Sequence, residues 1–238
     1  MSAIIFINEL LQNLGVQIKK YPPLDFRRRM SLLNSNGINV IFDIGANTGI
    51  YGQEMRKFGY SGEIISFEPL SDAFSELTKN SKKDSKWRIQ NYALGDFDGE
   101  TIINISKNSV SSSILEILPE HYEKEKNAQF INTEKIKICK LDTIYNDFNK
   151  PGDKVFLKID TQGYEKNVLD GAKKSIPYIC GLQVELSLVS LYTGSSLFME
   201  MIEYIKSFGF ALCSVENGFY DEKTGRLMQL DGIFFRID

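Results

Sequence analysis

The sequence predicts an α/β fold built on a mostly parallel sheet, and three observations carry that prediction. From residue 39 onward, short β-branched apolar runs alternate with helical stretches. The first run ends in a glycine-rich turn that opens a helix, FDIGANTGIYG at 42–52. The last two apolar runs, FALCSVEN and DGIFFRID, have only a short connection with Thr224-Gly225 between them and read as an antiparallel hairpin. Strands alternating with helices imply parallel neighbours joined by right-handed crossovers.

Taken in order, the elements begin with MSAIIFINELLQNLG, which reads as an amphipathic helix with Ile4, Ile7, Leu11 and Leu14 on one face. Its apolar patch is interrupted by Asn8 and Glu9 and preceded by no basic residue. It is therefore too short and polar for a signal peptide or a membrane span. Tyr21-Pro22-Pro23 breaks it. LDFRRRMSLLNSNG forms a second helix with Phe26, Met30 and Leu33 on one stripe and Gly37 as the stop. Arg27, Arg28 and Arg29 point in three directions and are expected in solvent. This helical extension, 1–36, precedes a domain over 37–238.

NVIFDIG is the first strand and GIYGQEMRKFG a helix closed by Gly59. EIISFEP is a strand, SDAFSELTKNS a helix capped by Ser71, and WRIQNYAL a third strand in which Trp87 is expected to pack. Residues 96–140 break the rhythm with two strands, GETIINIS and EKIKICKL, around a polar stretch. Polar insertions beside a parallel sheet often carry substrate contacts. KVFLKID is a continuous apolar strand, as a sheet covered on both faces requires. YEKNVLDGAKKSI is a helix with Val168, Leu169, Ala172 and Ile176 inward. CGLQVEL is a strand, and SSLFMEMIEYIKSFG a helix with Leu197, Met201 and Ile205 inward.

Composition bounds the function. The formal net charge of −3 gives no overall field for a polyanion, so nucleic acid is not an expected partner. The three cysteines, Cys139, Cys180 and Cys213, form no CxxC pair and suggest neither a zinc site nor a disulfide framework. Each is expected as a small buried apolar side chain in a cytoplasmic protein.

The glycine-rich turn limits the ligand. A P-loop needs GxxxxGK[ST], and the lysine is missing. A dinucleotide turn needs GxGxxG, whose second glycine lets a pyrophosphate touch the backbone. Here Gly45-Ala46-Asn47-Thr48-Gly49 puts Asn47 at that position, where its side chain crowds a pyrophosphate. Glu68 ends the next strand 25 residues beyond Asp43, placed to accept hydrogen bonds from ribose hydroxyls. A ligand with a ribose and no diphosphate is implied, and S-adenosylmethionine meets both conditions. Its amino-acid end would lie over the loop and its adenine near Asn91 and Ala93. An NAD-linked oxidoreductase and a non-catalytic binding module stay open as alternatives at this point.

The motifs VIFDIGANTGIYG, SFEP, YALGD, SSSIL, LDTI and LKIDTQGYEKNVLDGA resemble those of FkbM-type methyltransferases, from about Gly37 to the C-terminus. KIDTQGYE is the most specific; the family pattern is usually KIDVEGxE. Thr161 and Gln162 stand at the valine and glutamate positions, and Gln162 keeps polarity without charge. The resemblance implies a Rossmann-like, doubly wound, seven-stranded sheet, mostly parallel with an antiparallel last strand. It implies S-adenosylmethionine-dependent O-methylation of a hydroxyl on a sugar, glycan or secondary metabolite. It assigns Asp43, Gly45, Asn47, Glu68, Asn91, Ala93 and Asp160 to the cofactor.

An alcohol is a poor nucleophile, so a base or a divalent metal is expected to help remove its proton. His121, the sole histidine, is one candidate base. Asp160, Glu165 and Glu185, at or beside neighbouring strand ends, are the rival catalytic carboxylates and could also hold a divalent metal. For Glu165, stabilising a helix N-terminus is the competing role. Ser112, Ser113 and His121 are candidate substrate contacts in the insert. A homodimer built through the helical extension is a further possibility the sequence leaves open.

Overall fold

A computed structural model describes residues 3–19, 21–119 and 128–236. The main sheet has seven strands. In chain order they are β1 (Val40–Ile44), β2 (Glu63–Phe67), β3 (Trp87–Gln90), β7 (Val155–Ile159), β8 (Ile179–Ser187), β9 (Phe210–Asn217) and β10 (Gln229–Arg236). Their spatial order is β3-β2-β1-β7-β8-β10-β9. Neighbours from β3 to β8 pair in parallel, and β10 runs antiparallel to both β8 and β9. The seven-stranded doubly wound sheet with an antiparallel last strand is thus present.

Side-chain alternation explains the two covered faces. Val40, Phe42 and Ile44 point to one side, with Ile65, Phe67, Leu157 and Ile159. There they meet Leu141 and Tyr145 of α5 (Leu141–Phe148), Val168 and Leu169 of α6 (Glu165–Asp170), and Met201 and Ile205 of α7 (Phe198–Ser207). Ile41, Ile64 and Phe156 point the other way. They meet Leu33 of α2 (Leu24–Ser35), Met55 of α3 (Ile50–Lys57) and Leu77 of α4 (Ser71–Ser81). A period of two along each strand makes this division unavoidable.

Several local expectations change. WRIQNYAL is not one strand. β3 stops at Gln90, and Ala93–Leu94 forms β4 in a second sheet of order β4-β6-β5. There β5 (Gly99–Ser106) and β6 (Phe130–Cys139) make the antiparallel ribbon of the insert. Ser71 does not cap α4. Leu70 takes that position, and Ser71, inside the first turn, gives its N–H and hydroxyl to Glu134 of β6. The ribbon therefore satisfies the helix end that the serine was expected to satisfy. The helix after β7 is short, ending at Asp170, yet Val168, Leu169, Ala172 and Ile176 are all buried.

The arginine run is not wholly solvated. Arg29 is buried and paired through both Nε and Nη2 with Glu216 of β9, while Arg28 donates to the Val215 carbonyl. α2 is thereby welded to the sheet edge. The face expected on α1 (Ala3–Leu11) and the turn after it is not buried: Ile7 is 40% and Leu14 73% exposed. Cys213 is exposed, while Cys139 and Cys180 are half-buried, each packed against the rim of one core face. Among the described residues no helix is long and apolar enough to cross a membrane.

Candidate functional site

The carboxyl ends of β1, β2 and β7 converge on one crevice. At the end of β1, Gly45 has φ +77°, and an added Cβ would lie 1.9 Å from the Asp160 carbonyl oxygen. The turn and the end of β7 touch only because Gly45 has no side chain. Asn47 also sits at positive φ, +48°. Its Oδ1 accepts from the N–H of Thr48 at 2.8 Å, the local bond that lets asparagine tolerate this conformation. Its own N–H donates to Glu68 Oε2 at 2.8 Å, and the N–H of Leu70 donates to Glu68 Oε1 at 2.8 Å. Glu68 is thus held at the end of β2 with one acceptor direction used on each oxygen and others left. Burial pushes its carboxyl up to about 7, against the opposing pull of those two N–H groups.

The crevice is partly open to solvent and holds a cavity of about 110 Å³. One part of the lining is apolar, with Pro69, Leu70, Ala93, Leu94, Ile103 and Val110, and another is polar, with Gly45, Asn47, Asp160, Thr161 and Gln162. Glu68 touches both, accepting from the N–H groups of Leu70 and Asn47. Among the described residues the lining carries two carboxylates, Glu68 and Asp160, and no lysine or arginine. Such a wall suits a cationic ligand with a hydroxylated middle and an apolar ring, and repels a diphosphate.

Asp43 does not line the crevice. It lies beneath the turn, fully buried, accepting from Ser66 Oγ at 3.0 Å, while Ser66 Oγ accepts from Trp87 Nε1 at 2.9 Å. Lys158 supplies the counter-charge, 3.5 Å from Asp43 Oδ1 and 3.2 Å from Asp160 Oδ2. Burial raises the Asp43 carboxyl, and Lys158 opposes that rise. Burial alone would lower Lys158, but Asp160 and Asp43 hold it above its usual range. Asn91 also stays outside the lining: its amide donates to the carbonyls of Glu68 at 3.0 Å and Pro69 at 3.1 Å. It positions the strand end that carries Glu68. Ala93 does line the apolar end.

The acids at the polar end have different occupations. Asp160 Oδ1 accepts from Gln162 Nε2 at 2.8 Å, and its side chain is 35% exposed. Glu165 is buried, and its Oε1 accepts from the N–H groups of Thr161 at 2.9 Å and Gly163 at 3.1 Å. It braces the loop before α6, the role of an acid at a helix N-terminus; burial pushes it up to about 7. Glu185 stands on β8 behind Gln162, and its Oε2 accepts from Gln162 Nε2 at 3.0 Å and Gln229 Nε2 at 2.7 Å. Burial, followed by Asp160, Glu165 and Asp231, raises Glu185 well above the usual carboxylate range. Asp160 and Glu185 are brought together through Gln162. Among the described residues no group of three or more His, Cys, Asp or Glu is arranged to hold a metal.

In the insert, Ser112 lines the crevice and its Oγ accepts from the N–H of Ser106 at 3.0 Å. Ser113 is committed elsewhere: its hydroxyl donates to the Gln162 carbonyl at 2.7 Å. It fastens the insert to the 160–163 loop. His121 lies outside the described residues. Gln162, Lys158, Tyr192 and Gln229 all bear on the polar end without having been singled out as site residues. Gln162 was detectable from its departure from the family pattern. Tyr192 and Gln229 carry no local signal, since only strand order brings them near.

A family model described as a methyltransferase FkbM domain matches residues 43–212. No curated protein matches the chain. Among solved structures, an uncharacterized protein from Listeria monocytogenes is 9% identical over 91% of this chain and 68% of its own, with a TM-score of 0.50. The likeness is one of fold. A methyltransferase FkbM from Methylobacillus flagellatus is 14% identical, with a TM-score of 0.49, over 82% of this chain. This chain spans 43% of that protein's length. A 1,6-didemethyltoxoflavin-N1-methyltransferase from Burkholderia thailandensis, solved with S-adenosylhomocysteine, is 9% identical over 98% of this chain and 85% of its own, with a TM-score of 0.48.

Proposed function

The chain belongs to the FkbM methyltransferase family, and on that premise we propose that it is an S-adenosylmethionine-dependent O-methyltransferase acting on a hydroxyl of a sugar, glycan or secondary metabolite. The observation that supports the donor is the charge and polarity of the crevice. Glu68 touches both the apolar and the polar part of the lining, and among the described residues no cation lines the wall. Glu68 would accept from the ribose hydroxyls, the apolar end would take the adenine, and Gly45, Asn47 and Asp160 would receive the amino-acid end. When bound, S-adenosylmethionine supplies an electrophilic methyl group on a cationic sulfur.

The protein must align an oxygen with that group and keep water out. The ribbon β5–β6 roofs the crevice through Ile103, while Ser109 and Ser112 bring hydroxyls to it. Asp160 is the carboxylate of the polar end that faces the crevice, and it takes the acceptor proton. Lys158, 3.2 Å from Asp160 Oδ2, holds that carboxylate in place at the end of β7.

Calorimetry should show S-adenosylhomocysteine binding and no binding of NAD. Isotope-labelled donor incubated with a panel of hydroxylated acceptors, with and without a chelator, identifies the acceptor class. With that acceptor, Asp160→Asn should lower turnover about 10²–10⁴-fold, the range for a lost general base. An undiminished Asp160→Asn enzyme together with an inactive, folded His121→Ala enzyme would move the base to His121. Tight NAD uptake with indifference to S-adenosylhomocysteine would overturn the donor reading.

A further inference from the structure

Gln162 is engaged through both atoms of its side-chain amide and through its main-chain carbonyl. Its Nε2 donates to Asp160 Oδ1 at 2.8 Å and to Glu185 Oε2 at 3.0 Å. Its Oε1 accepts from the Tyr192 hydroxyl at 2.9 Å, and its main-chain carbonyl accepts from Ser113 Oγ at 2.7 Å. The backbone holds this pose at φ +54°, a conformation a side-chain-bearing residue rarely takes. Three separate segments thus fix the side-chain amide, the ends of β7 and β8 and the loop carrying Tyr192, and the insert holds its main chain. The two carboxylates draw the NH₂ toward them, and the oxygen faces the Tyr192 hydroxyl, which also lies 3.1 Å from the Ser111 carbonyl.

Two carboxylates that share one small space repel and need a proton, a cation or a donor between them. We propose that Gln162 is the positioning residue of the acceptor end, its amide standing where a divalent cation would otherwise bridge Asp160 and Glu185, so that methyl transfer proceeds without a divalent metal. This inference rests on the methyltransferase reading and adds the device that holds its acid pair. The charged and titratable groups around the amide are Lys158 of β7, Asp160 just past its end, Glu165 of α6, Glu185 of β8, Asp231 of β10 and Tyr192. Lys158 reaches Asp160 and Asp43. The bonds made by Glu185 Oε2 come from neutral amides, Gln162 and Gln229.

Gln162→Glu tests this, because it puts a third carboxylate where the amide was. Thermal unfolding of wild type, Gln162→Glu and Gln162→Glu/Glu185→Gln is followed from pH 6 to 8, with EDTA or with Ca²⁺ or Mn²⁺. Wild type should be indifferent to either cation. Gln162→Glu should lose several degrees in midpoint as pH rises in EDTA and regain them with cation, binding Ca²⁺ at least tenfold more tightly than wild type by calorimetry. The double variant, back to two carboxylates, should return to the pH profile of wild type and lose the cation response. A residue with a merely structural role would destabilise the protein equally at every pH and gain no cation site.

A Gln162→Glu protein as stable at pH 8 in EDTA as wild type, and without cation uptake, overturns the inference. So does a wild-type protein stabilised by Ca²⁺ or Mn²⁺ in a manner lost in Asp160→Asn. If Gln162→Glu does not fold, the wild-type cation titration decides alone. S-adenosylhomocysteine titrated into wild type reports separately on the methyltransferase reading, so the two can fail independently.

Discussion

Glu68 shows how one residue links ligand binding to pH. Burial raises its carboxyl to about 7 in the ligand-free protein, against about 4.3 in an unfolded chain. Between those values the native state holds a proton that the unfolded state has released, so stability falls as pH rises. The contribution is complete below the unfolded value and is lost as pH climbs through about 7. Glu165, also raised to about 7, acts in the same direction. Urea midpoints between pH 5 and 8 should therefore decline with pH, and less steeply in Glu68→Gln. That variant should also be less stable overall, since its amide cannot accept from both Asn47 and Leu70. Ribose hydroxyls donate to the charged form, so S-adenosylhomocysteine affinity should rise through pH 7 with proton release. In Glu68→Gln the affinity should be weaker and flat with pH. A flat wild-type profile would remove Glu68 from the ribose contact.

At the scale of elements, the decisive contact is helix against strand. Gly52 lies within α3, where glycine costs about 0.5–1 kcal/mol relative to alanine. An added Cβ there would meet Trp87 Cζ2 of β3 at 2.2 Å. Trp87 also contacts the neighbourhood of Gly49 and bonds to Ser66, which bonds to Asp43. The tryptophan is a packing residue, as its strand position predicted, and through Ser66 it also steadies the floor of the crevice. Gly52→Ala should therefore destabilise, with overpacking of about 1–3 kcal/mol exceeding the gain in helix propensity. Urea denaturation checks the sign. Fluorescence of Trp87, the sole tryptophan, reports the local shift. The sequence made α3 legible as a helix. It gave no reason for Gly52, because the ring it accommodates lies on a strand three elements further along the chain.

For the whole molecule, the Arg29–Glu216 pair joins the helical extension to the far edge of the sheet. Both side chains are almost wholly buried, at 7% and 6% exposed. Arg29 also lies over the Phe26 ring at 4.6 Å and the Tyr51 ring at 5.2 Å. Removing one partner of a buried pair typically costs about 3–5 kcal/mol, because the other charge is left alone. Arg29→Ala should lower stability by that amount, measured by urea unfolding. Arg29→Met/Glu216→Leu should recover most of it, since apolar replacement of both partners is often neutral or better. Recovery absent in the double variant would mean that the ring contacts, rather than the charge pair, carry the cost. The same Tyr51 ring lies 5.5 Å from Lys158 Nζ, so α2 and the floor of the crevice share one side chain.

The sequence by itself determined the α/β class, the strand order in time, the turn at Gly45–Gly49 and the acid at Glu68. These are local: hydrophobic periodicity, glycine at positive φ and spacing along one β-α-β unit are written in adjacent residues. Only the tertiary structure decided what each polar side chain touches. Asp43 went beneath the turn, Asn91 to two carbonyls, Glu165 to its own loop and Ser113 to the Gln162 carbonyl. It also decided that Gln162 would bridge Asp160, just past the end of β7, and Glu185 of β8, which meet only in the folded sheet. Side-chain partners are set by distances across strands, and no spacing along the chain encodes them.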